Sequence, residues 1–432
     1  MTSKTGFDLD ISGVAGFFGA DVALSAIKTV HVYPGRRWLG WFNQPGSYEV
    51  ARRYGQLAQS KFWDALYPGP DVDPAILCKF DGKERGPTYT SVHSGTVNPN
   101  TGYVARLLLE ECQAAHPCQA SSGRMTTPEH VAIVRLPECP VSEVAIAQLP
   151  QTNVMKIVAV VPILFSLTAS TACALLGDWS CCSMILLGMA CNGVACYVIG
   201  SAPLEFTRPA TADGGTYGAG ILDGGKTLVV LMGQKDALNT ITRGRFVLNY
   251  ASRPEYHDMG VCSILLSLKL LAQLLVVPQG NLYGQLLFLG SLAVSWAHNS
   301  YLSSTDIAVL LRTILLENVL GIKCTPLHQA HSPDVEKGTI RNAIEKYKIG
   351  TRSATVVFVL LVLAPYAQNI PALRQRMDDL LANNTELWTV WKTEVLRNIE
   401  ANLSVLRSEE CGIGKMKFDF PAENQHGEVM RQ

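Results

Sequence analysis

The sequence has no excess of charge of either sign. Lysine and arginine total 36 residues and aspartate and glutamate also total 36, so the whole chain has no net attraction for nucleic acid, and we predict no nucleic-acid partner. The apolar residues form long runs that contain few charged residues. They are not spaced at the period of a surface helix or strand. This distribution argues against an ordinary set of soluble domains and indicates a membrane protein.

Three other familiar signals are missing. The first ten residues contain three charges and no apolar core, so we expect no secretory signal there. Five of the twelve cysteines lie in or beside one apolar run, where small polarizable side chains pack well, and we expect most of the twelve to be free thiols. Cys112, His116 and Cys118 lack the second ligand pair of a structural zinc site, so we predict no metal and no cofactor.

Two long apolar stretches, Val154 to Ala202 and Gly260 to Ser303, each predict a hairpin of two membrane-crossing helices. In the first, residues 157–176 are about the twenty needed to cross ~30 Å of hydrocarbon. The turn at residues 177–180 is too short for anything but an antiparallel return. The second stretch repeats the plan with its turn at residues 278–281.

A fifth apolar run, Ala354 to Ala367, is predicted as a further span. The two hairpin turns contain no basic residue, whereas the connecting segments 204–258 and 305–352 contain six and seven. By the positive-inside rule those segments and the N-terminal region are expected in the cytoplasm. The fifth span would then place the C-terminal tail outside, where the two Asn-x-Ser/Thr acceptor sites, Asn383 and Asn402, are predicted to be glycosylated.

The predicted fold class is an α-helical integral membrane protein with two transmembrane hairpins plus a fifth span, an α+β cytoplasmic N-terminal region and a small β-rich cytoplasmic loop. The expected location is the plasma membrane or an endomembrane, with the N-terminus cytoplasmic and the C-terminus extracytoplasmic. The predicted divisions are the N-terminal region at 1–150, the first hairpin at 151–203, the β-rich loop at 204–258, the second hairpin at 259–303, a cytoplasmic amphipathic helix and loop at 304–353, the fifth span at 354–369 and an amphipathic tail at 370–432.

Shorter elements are predicted between the spans. They are a buried or surface-lying helix at 11–30, with an interfacial anchor as the alternative, helices at 47–66, 103–115, 305–320 and 386–403, and strands at 131–136, 227–232 and 246–250. Residues 220–227 match the spacing of a phosphate-binding loop, but no apolar strand precedes Gly220 and a strand follows Thr227. Hairpin turns are therefore the favoured explanation of these glycines, and nucleotide binding is the alternative.

One full charge lies near the middle of a predicted span. Insertion scales assign ~3 kcal/mol to a charged residue such as Lys269 in that position. Either Lys269 donates to backbone carbonyls between helices, or it forms an intramembrane polar site with Asn192, Gln273 and His298. The first explanation is favoured because no intramembrane carboxylate is present to pair with the lysine.

Three classes of function follow. A structural or interaction protein surrounded by membrane lipid comes first, since no catalytic set converges, and a homo-oligomer through the small-residue face from Gly188 to Cys196 fits this class. A transporter or channel with a polar site near Lys269 is the alternative. A membrane-embedded enzyme is the second alternative, and no catalytic residue is assigned. The residues available to such an enzyme are His257, Asp258, His298, His328 and His331.

Several short motifs are similar to those of one protein family. They are Asp178-Trp179, Ser183 to Gly188, Asn192-Gly193, Gly220 to Leu222, Thr242 to Phe246, Pro278 to Gly280, Ser295 to Ala297, Asn299 to Ser303 and Val356 to Leu361. With these motifs, residues 140–405 resemble an uncharacterised family of multi-span membrane proteins of mushroom-forming (basidiomycete) fungi. The resemblance implies a eukaryotic membrane setting, and it implies no catalytic residue because no activity is assigned to the family.

Overall fold

The chain folds into two compact units in a computed structural model. The structure describes residues 20–58, 60–69, 73–82, 86–117, 119–120, 126–127, 129–136, 144–209, 217–250, 257–304, 306–316, 344–367 and 369–402. Within these residues, the helical unit comprises Met1–Gly82, Val144–Thr207 and Phe246–Ile314. The α/β unit comprises Lys83–Glu143, Arg208–Arg245 and Leu315–Gln432.

The described chain contains both helices and strands. The helices are α1 Ala20–Val32, α2 Ser47–Gly55, α3 Lys61–Leu66, α4 Pro74–Leu77, α5 Tyr103–Ala114, α6 Asn153–Leu175, α7 Trp179–Ile199, α8 Lys235–Arg243, α9 Met259–Val276, α10 Leu282–Ser303, α11 Ile307–Ile314, α12 Arg352–Leu363, α13 Ile370–Leu380 and α14 Glu386–Ala401. The strands are β1 Thr88–Ser91, β2 Val97–Asn98, β3 Gln119–Ala120, β4 Glu129–Arg135, β5 Val144–Ile146, β6 Leu204–Thr207, β7 Tyr217–Asp223, β8 Thr227–Gln234, β9 Arg245–Leu248 and β10 Ile344–Ile349. Single 3₁₀ turns occur at Arg36–Trp38, Val277–Gln279 and Ala364–Tyr366.

Three helices are long and apolar enough to cross a membrane. They are α6, α7 and the helix Met259–Gln279, which is α9 with its 3₁₀ turn. Helix α10 has a similar length, 22 residues, but is not among the three. It contains Gln285, His298 and Asn299, whose polar groups lower its hydropathy. Three of the four helices predicted for the two hairpins are therefore long and apolar enough to span a membrane. The described chain fits a partly helical membrane protein.

Large apolar side chains are exposed along α6 and α9. They include Val154, Ile157, Val161, Leu164 and Leu167 on α6, and Val261, Leu268, Leu271 and Leu275 on α9. A soluble monomer rarely exposes so large a contiguous apolar surface, whereas lipid chains solvate it without cost. Helix α7, in contrast, is mostly buried within the unit. Helix α7 therefore lies inside the helical unit, and α6 and α9 expose apolar side chains as membrane-spanning helices do.

Asp178 links the two turns that the sequence assigns to the hairpins. Its Oδ1 accepts a hydrogen bond from the Cys181 N–H at 3.1 Å, and its Oδ2 accepts one from the Asn281 N–H at 2.7 Å. The side chain is buried, and Gly280 and Gly284 make room for it, because a Cβ at either position would overlap the carboxylate. The two turns therefore meet at one end of the helical unit.

Replacing Asp178 by alanine is expected to destabilise the helical unit by about 2 kcal/mol, because two buried N–H groups lose a charged acceptor. Thermal unfolding of the detergent-solubilised chain measures the change. Asp258→Ala is the matched control, since Asp258 is exposed and its side chain caps no N–H at the start of α9. Equal unfolding midpoints for the two variants would contradict the linkage.

The N-terminal helix is buried in the helical unit. Helix α1 buries Ala23, Ile27 and Val30 and packs on α2 and α10, so the buried-helix prediction is confirmed from residue 20 onward. The helix predicted over 47–66 is instead two helices, because Ser60 begins α3 by accepting a hydrogen bond from the Trp63 N–H.

Several other local predictions are confirmed. Helices α5 and α14 lie at the predicted positions 103–115 and 386–403. Helix α11 forms within the predicted 305–320, and the residues beyond 316 lie outside the described chain.

The α/β unit is built on a seven-stranded mixed sheet. Its strand order is β2-β1-β7-β8-β4-β10-β3, with β4 and β8 parallel and β7 and β8 antiparallel. The turn between β7 and β8 places Gly225 at a φ of 77°, and its N–H donates to Asp223 Oδ1 at 2.8 Å. Residues 220–227 therefore form strand, turn and strand, and the phosphate-loop alternative is wrong. Strands β4, β8 and β9 confirm the three predicted strands.

The fifth apolar run forms α12 in the core of the α/β unit. Its 12 residues span about 18 Å, which is shorter than the ~30 Å of hydrocarbon that a span must cross. Val356 and Leu360 are fully buried in the same hydrophobic cluster as Ile133 and Val230 of the sheet. The predicted fifth span is therefore wrong, because protein and not lipid covers its apolar residues.

The C-terminal helices belong to the same core. Helices α13 and α14 bury residues such as Leu373 and Leu396 beside α12. Arg352 at the start of α12 donates to both carboxylate oxygens of Glu129 on β4, at 3.1 and 2.9 Å. The sheet and the C-terminal helices therefore share one hydrophobic core, and the predicted cytoplasmic and extracytoplasmic locations stay predictions. Asn383 and Asn402 are exposed, and their glycosylation remains a prediction that has lost its topological support.

Candidate functional site

The four residues predicted to form a polar site are all buried in the helical unit. Lys269 and Gln273 lie one turn apart on α9, Asn192 lies on α7 and His298 lies on α10. Three of them, Lys269, Gln273 and Asn192, form hydrogen bonds with one stretch of irregular backbone, residues 39–46, between the first 3₁₀ turn and α2. We call this stretch the inserted segment.

Lys269 is bonded to the C-terminal end of the inserted segment. Its Nζ donates to the Gln44 carbonyl at 2.6 Å and to Ser47 Oγ at 2.7 Å, and only 1% of the residue is exposed. Ser47 Oγ in turn donates to the Gln44 carbonyl at 3.1 Å, which closes a ring of hydrogen bonds. The explanation that the lysine donates to backbone carbonyls is confirmed, and the carbonyl comes from the inserted segment.

Asn43 connects the inserted segment to three long helices. Its Oδ1 accepts a hydrogen bond from Gln273 Nε2 on α9 at 3.1 Å, and its Nδ2 donates to Ser291 Oγ on α10 at 3.0 Å. Its backbone N–H donates to Ser166 Oγ on α6 at 3.3 Å. Gln273 Nε2 also donates to the Met184 carbonyl on α7 at 3.2 Å. Sequence reasoning missed Asn43, because no local pattern distinguishes it from a polar loop residue.

The small-residue face of α7 is covered by the inserted segment. Asn192 Nδ2 donates to the Gly40 carbonyl at 2.6 Å. A Cβ at Gly188 would overlap the Asn43 side chain, and a Cβ at Gly193 would overlap the Trp41 ring. This face therefore packs against the chain itself within one molecule, and its predicted contact with a second copy stays a prediction. A homo-oligomer through some other surface remains a prediction.

His298 meets the inserted segment through a ring contact, without a hydrogen bond to it among the described residues. With Ser295 and Asn299 it lies on one face of α10, since the three positions are spaced by three and four residues. Five polar side-chain atoms of these residues are buried without a hydrogen-bond partner among the described residues. The Phe42 ring meets the His298 ring edge-on, with centroids 5.6 Å apart. The structure thus joins Lys269, Gln273 and Asn192 through the inserted segment but leaves His298 out of that network.

A second buried network surrounds His31, which sequence reasoning also missed. His31 Nδ1 lies 2.8 Å from the Ala202 carbonyl, and Nε2 lies 3.3 Å from the Tyr54 hydroxyl and 3.4 Å from that of Tyr250. Tyr250 donates to the Ile199 carbonyl at 2.9 Å. The carbonyl therefore fixes the tautomer with a proton on Nδ1, and Nε2 accepts. Burial lowers the pKa of His31 to about 4.

Stability of the helical unit is expected to fall as the pH falls from 6.5 toward 4. The folded pKa of His31, about 4, is below its unfolded value of about 6.5, so the unfolded chain takes up the proton first. The contribution, about 3 kcal/mol at most, is complete above pH 6.5 and is lost as the pH approaches 4. Thermal midpoints measured from pH 7.5 to 4.5 should show a smaller loss for His31→Gln than for the wild type. An identical pH dependence in both would contradict the assignment.

The described residues provide no converging catalytic or metal-binding set. His257 and Asp258 are exposed before α9, whereas His298 is buried in α10, and His328 and His331 lie outside the described residues. Within the described ranges, no three histidine, cysteine, aspartate or glutamate side chains are grouped to hold a metal ion. The eight described cysteines are free and buried, as predicted.

Three comparisons with known proteins complete the description of this site. No protein-family model, no curated protein and no solved structure matches the chain. The fungal family resemblance therefore stays a prediction, and the function has to be argued from the polar network itself.

Proposed function

We propose that this protein is a multi-pass membrane protein with a structural or interaction role, in which intramembrane polar side chains hold the chain's own inserted segment. The observation that supports this most directly is the pair of hydrogen bonds from Lys269 to Gln44 and Ser47. A lysine that serves a transported substrate needs an ammonium group turned toward a water-filled path. In this protein the ammonium group is buried and donates its hydrogen bonds to Gln44 and Ser47.

The topology that we propose has four crossing helices in two hairpins, α6 with α7 and α9 with α10. Asp178 joins the two turns at one end of the unit, as expected if both turns lie on the same side of a membrane. The two hairpin turns contain no basic residue, whereas the connecting segments 204–258 and 305–352 contain six and seven. The side of the membrane opposite the turns is therefore assigned to the cytoplasm. Irregular backbone is tolerated at membrane depth only where protein covers it, and the buried inserted segment meets that condition.

Hydrogen exchange of the inserted segment tests the structural role. In lipid nanodiscs, the backbone amides of residues 40–44, 46 and 47 should exchange slowly in the wild type, and Pro45 has no amide hydrogen. Asn43→Ala removes the side chain that contacts α9 and α10, and exchange at these amides should become at least tenfold faster. Asn281→Ala is the matched control, because Asn281 is exposed at a hairpin turn and its hydrogen bonds, to Asp178 and from Gln285, are made by backbone groups that the substitution keeps. Fast exchange in the wild type would overturn the proposal.

A transport or channel role is the second candidate, and it is favoured by the unpartnered polar atoms of Ser295, His298 and Asn299. A buried polar group without a partner costs about 1–3 kcal/mol, so such a group calls for a hydrogen-bonding guest. Proteoliposomes loaded with a pH-sensitive dye measure proton flux, with and without a potassium gradient. Flux that is lost in His298→Leu would support this candidate. No flux, together with unchanged or increased stability of His298→Leu, would favour the structural role.

A further inference from the structure

A polar pocket lies in the α/β unit between the β1–β2 hairpin and helix α8. Its volume is about 130 Å³. Tyr89, Ser91 and Asn98 line the hairpin side. The helix side consists of residues spaced by three and four positions from Lys235 to Thr242, which form one face of α8, followed by Arg243.

Two glycines of β7 determine how closely the walls of the pocket approach each other. A Cβ at Gly218 would lie 3.1 Å from Leu238 Cδ1 and 3.7 Å from Lys235 Cγ, so the missing side chain lets α8 pack close to the strand. A Cβ at Gly220 would overlap the Tyr89 ring. The pocket is therefore a product of the packing of β1, β7 and α8 and not a gap in a surface loop.

The lining of the pocket has basic groups and no acidic group. Lys235 and Arg243 contribute two positive charges, and the remaining polar lining consists of hydroxyl and amide groups and the His93 ring. Burial raises the pKa of Tyr89 to about 12, which keeps its hydroxyl a neutral hydrogen-bond donor.

The acidic groups beside the pocket are engaged elsewhere. Arg376, which donates to the Gly95 carbonyl in the β1–β2 turn, forms an ion pair with Asp379 at 2.6 Å. Asp236, next to Lys235 on α8, also has an interaction partner of its own. The lining itself contains no acidic side chain, and its formal charge comes from Lys235 and Arg243.

We infer that this pocket binds an oxyanion, namely a phosphate group carried by a small polar molecule. Lys235 and Arg243 would neutralise the charge, and the hydroxyl and amide groups would bond the rest of the ligand. The two basic residues are about 12 Å apart along the helix axis, a separation that two long side chains can close onto one phosphate.

The volume limits the size of the ligand. It is below the ~300 Å³ of a site for a drug-sized molecule, and it corresponds to about four water molecules at ~30 Å³ each. A phosphate ion or a phosphate on a short carbon chain fits this space. Every lining residue belongs to the α/β unit, so the inference does not depend on the function proposed for the helical unit.

Calorimetric titration of the full-length chain in detergent, at constant ionic strength, tests the inference with inorganic phosphate and with glycerol phosphate. Saturable binding at one site is expected. The double variant Lys235→Gln, Arg243→Gln should weaken the Kd at least tenfold. The matched control is Lys226→Gln, Arg245→Gln, which removes the same charge from two exposed residues outside the pocket and should change the Kd less than twofold.

Two further measurements keep the result interpretable. Lys235→Arg preserves the charge and should retain phosphate binding. Asn239→Leu should weaken phosphate binding without changing the charge. These two variants test the site if the double variant does not fold. Short-chain phosphatidate distinguishes the sources of the phosphate group: tighter binding of this lipid than of glycerol phosphate would support the site and assign it to a lipid headgroup. Absence of saturable phosphate binding, or equal affinity of the two double variants, would overturn the inference.

Discussion

Replacing Lys269 by leucine is expected to destabilise the helical unit by about 3 kcal/mol. The Gln44 carbonyl and Ser47 Oγ would lose a charged donor in a buried place, and each such hydrogen bond contributes about 1.5–3 kcal/mol. Part of this loss is offset because leucine has no charge to desolvate. The net effect is large because the lysine holds the end of the inserted segment against α9.

Thermal unfolding in detergent measures this effect, and Lys156→Leu is the control. Lys156 lies exposed in the first turns of α6, so its replacement removes the same charge without removing a buried hydrogen bond. Lys269→Gln keeps a hydrogen-bond donor, and its unfolding midpoint should lie between those of Lys269→Leu and Lys156→Leu. If Lys269→Leu were as stable as the wild type, the lysine would not be a structural residue, and a role in binding a ligand would become the better explanation.

The natural acceptor at Asn383 and an acceptor sequence introduced at the β7–β8 turn are expected to have the same glycosylation state in a eukaryotic cell. Both positions belong to the α/β unit, whose sheet and C-terminal helices form one core. Because the basic connections are assigned to the cytoplasm, neither site should be glycosylated. A glycosidase-dependent shift in gel mobility detects either glycan.

A third acceptor, placed on a flexible insertion after Gln279, is the positive control for this experiment. That position lies at the turn that the proposed topology places outside, and it should be glycosylated. A glycan on Asn383 in a chain without one at the β7–β8 turn would contradict the single-core arrangement and restore the fifth span. Glycans at both Asn383 and the β7–β8 turn would agree with a single core but would place the α/β unit on the extracytoplasmic side.

Local structure could be predicted where neighbouring residues decide it. The strand β8 and the turn after β7 follow from a run of branched apolar residues preceded by two glycines, and the turn needs Gly225 at positive φ. The N-caps Thr152 and Asp178 begin α6 and α7 at the ends of the apolar runs. The break between α2 and α3 was missed, because a helical pattern continued through it.

The candidate site could be predicted only in part. The cost of a charge in an apolar run identified Lys269, and helix-spaced polar residues identified Asn192 and Gln273. Their partners could not be identified, since Gln44 is 225 residues from Lys269 and Asn43 is 230 residues from Gln273. His298 satisfied the same sequence criteria, yet the fold leaves it outside this network.

The sequence by itself determined that the chain contains long apolar helices with a few costly polar groups inside them. The tertiary structure alone decided which apolar run keeps its side chains exposed and which is buried by protein. Hydropathy measures how strongly a segment avoids water, and lipid and a protein core satisfy that preference equally well. For this reason α6 and α12 look alike as sequences, whereas α6 exposes its apolar side chains and α12 is enclosed by a sheet.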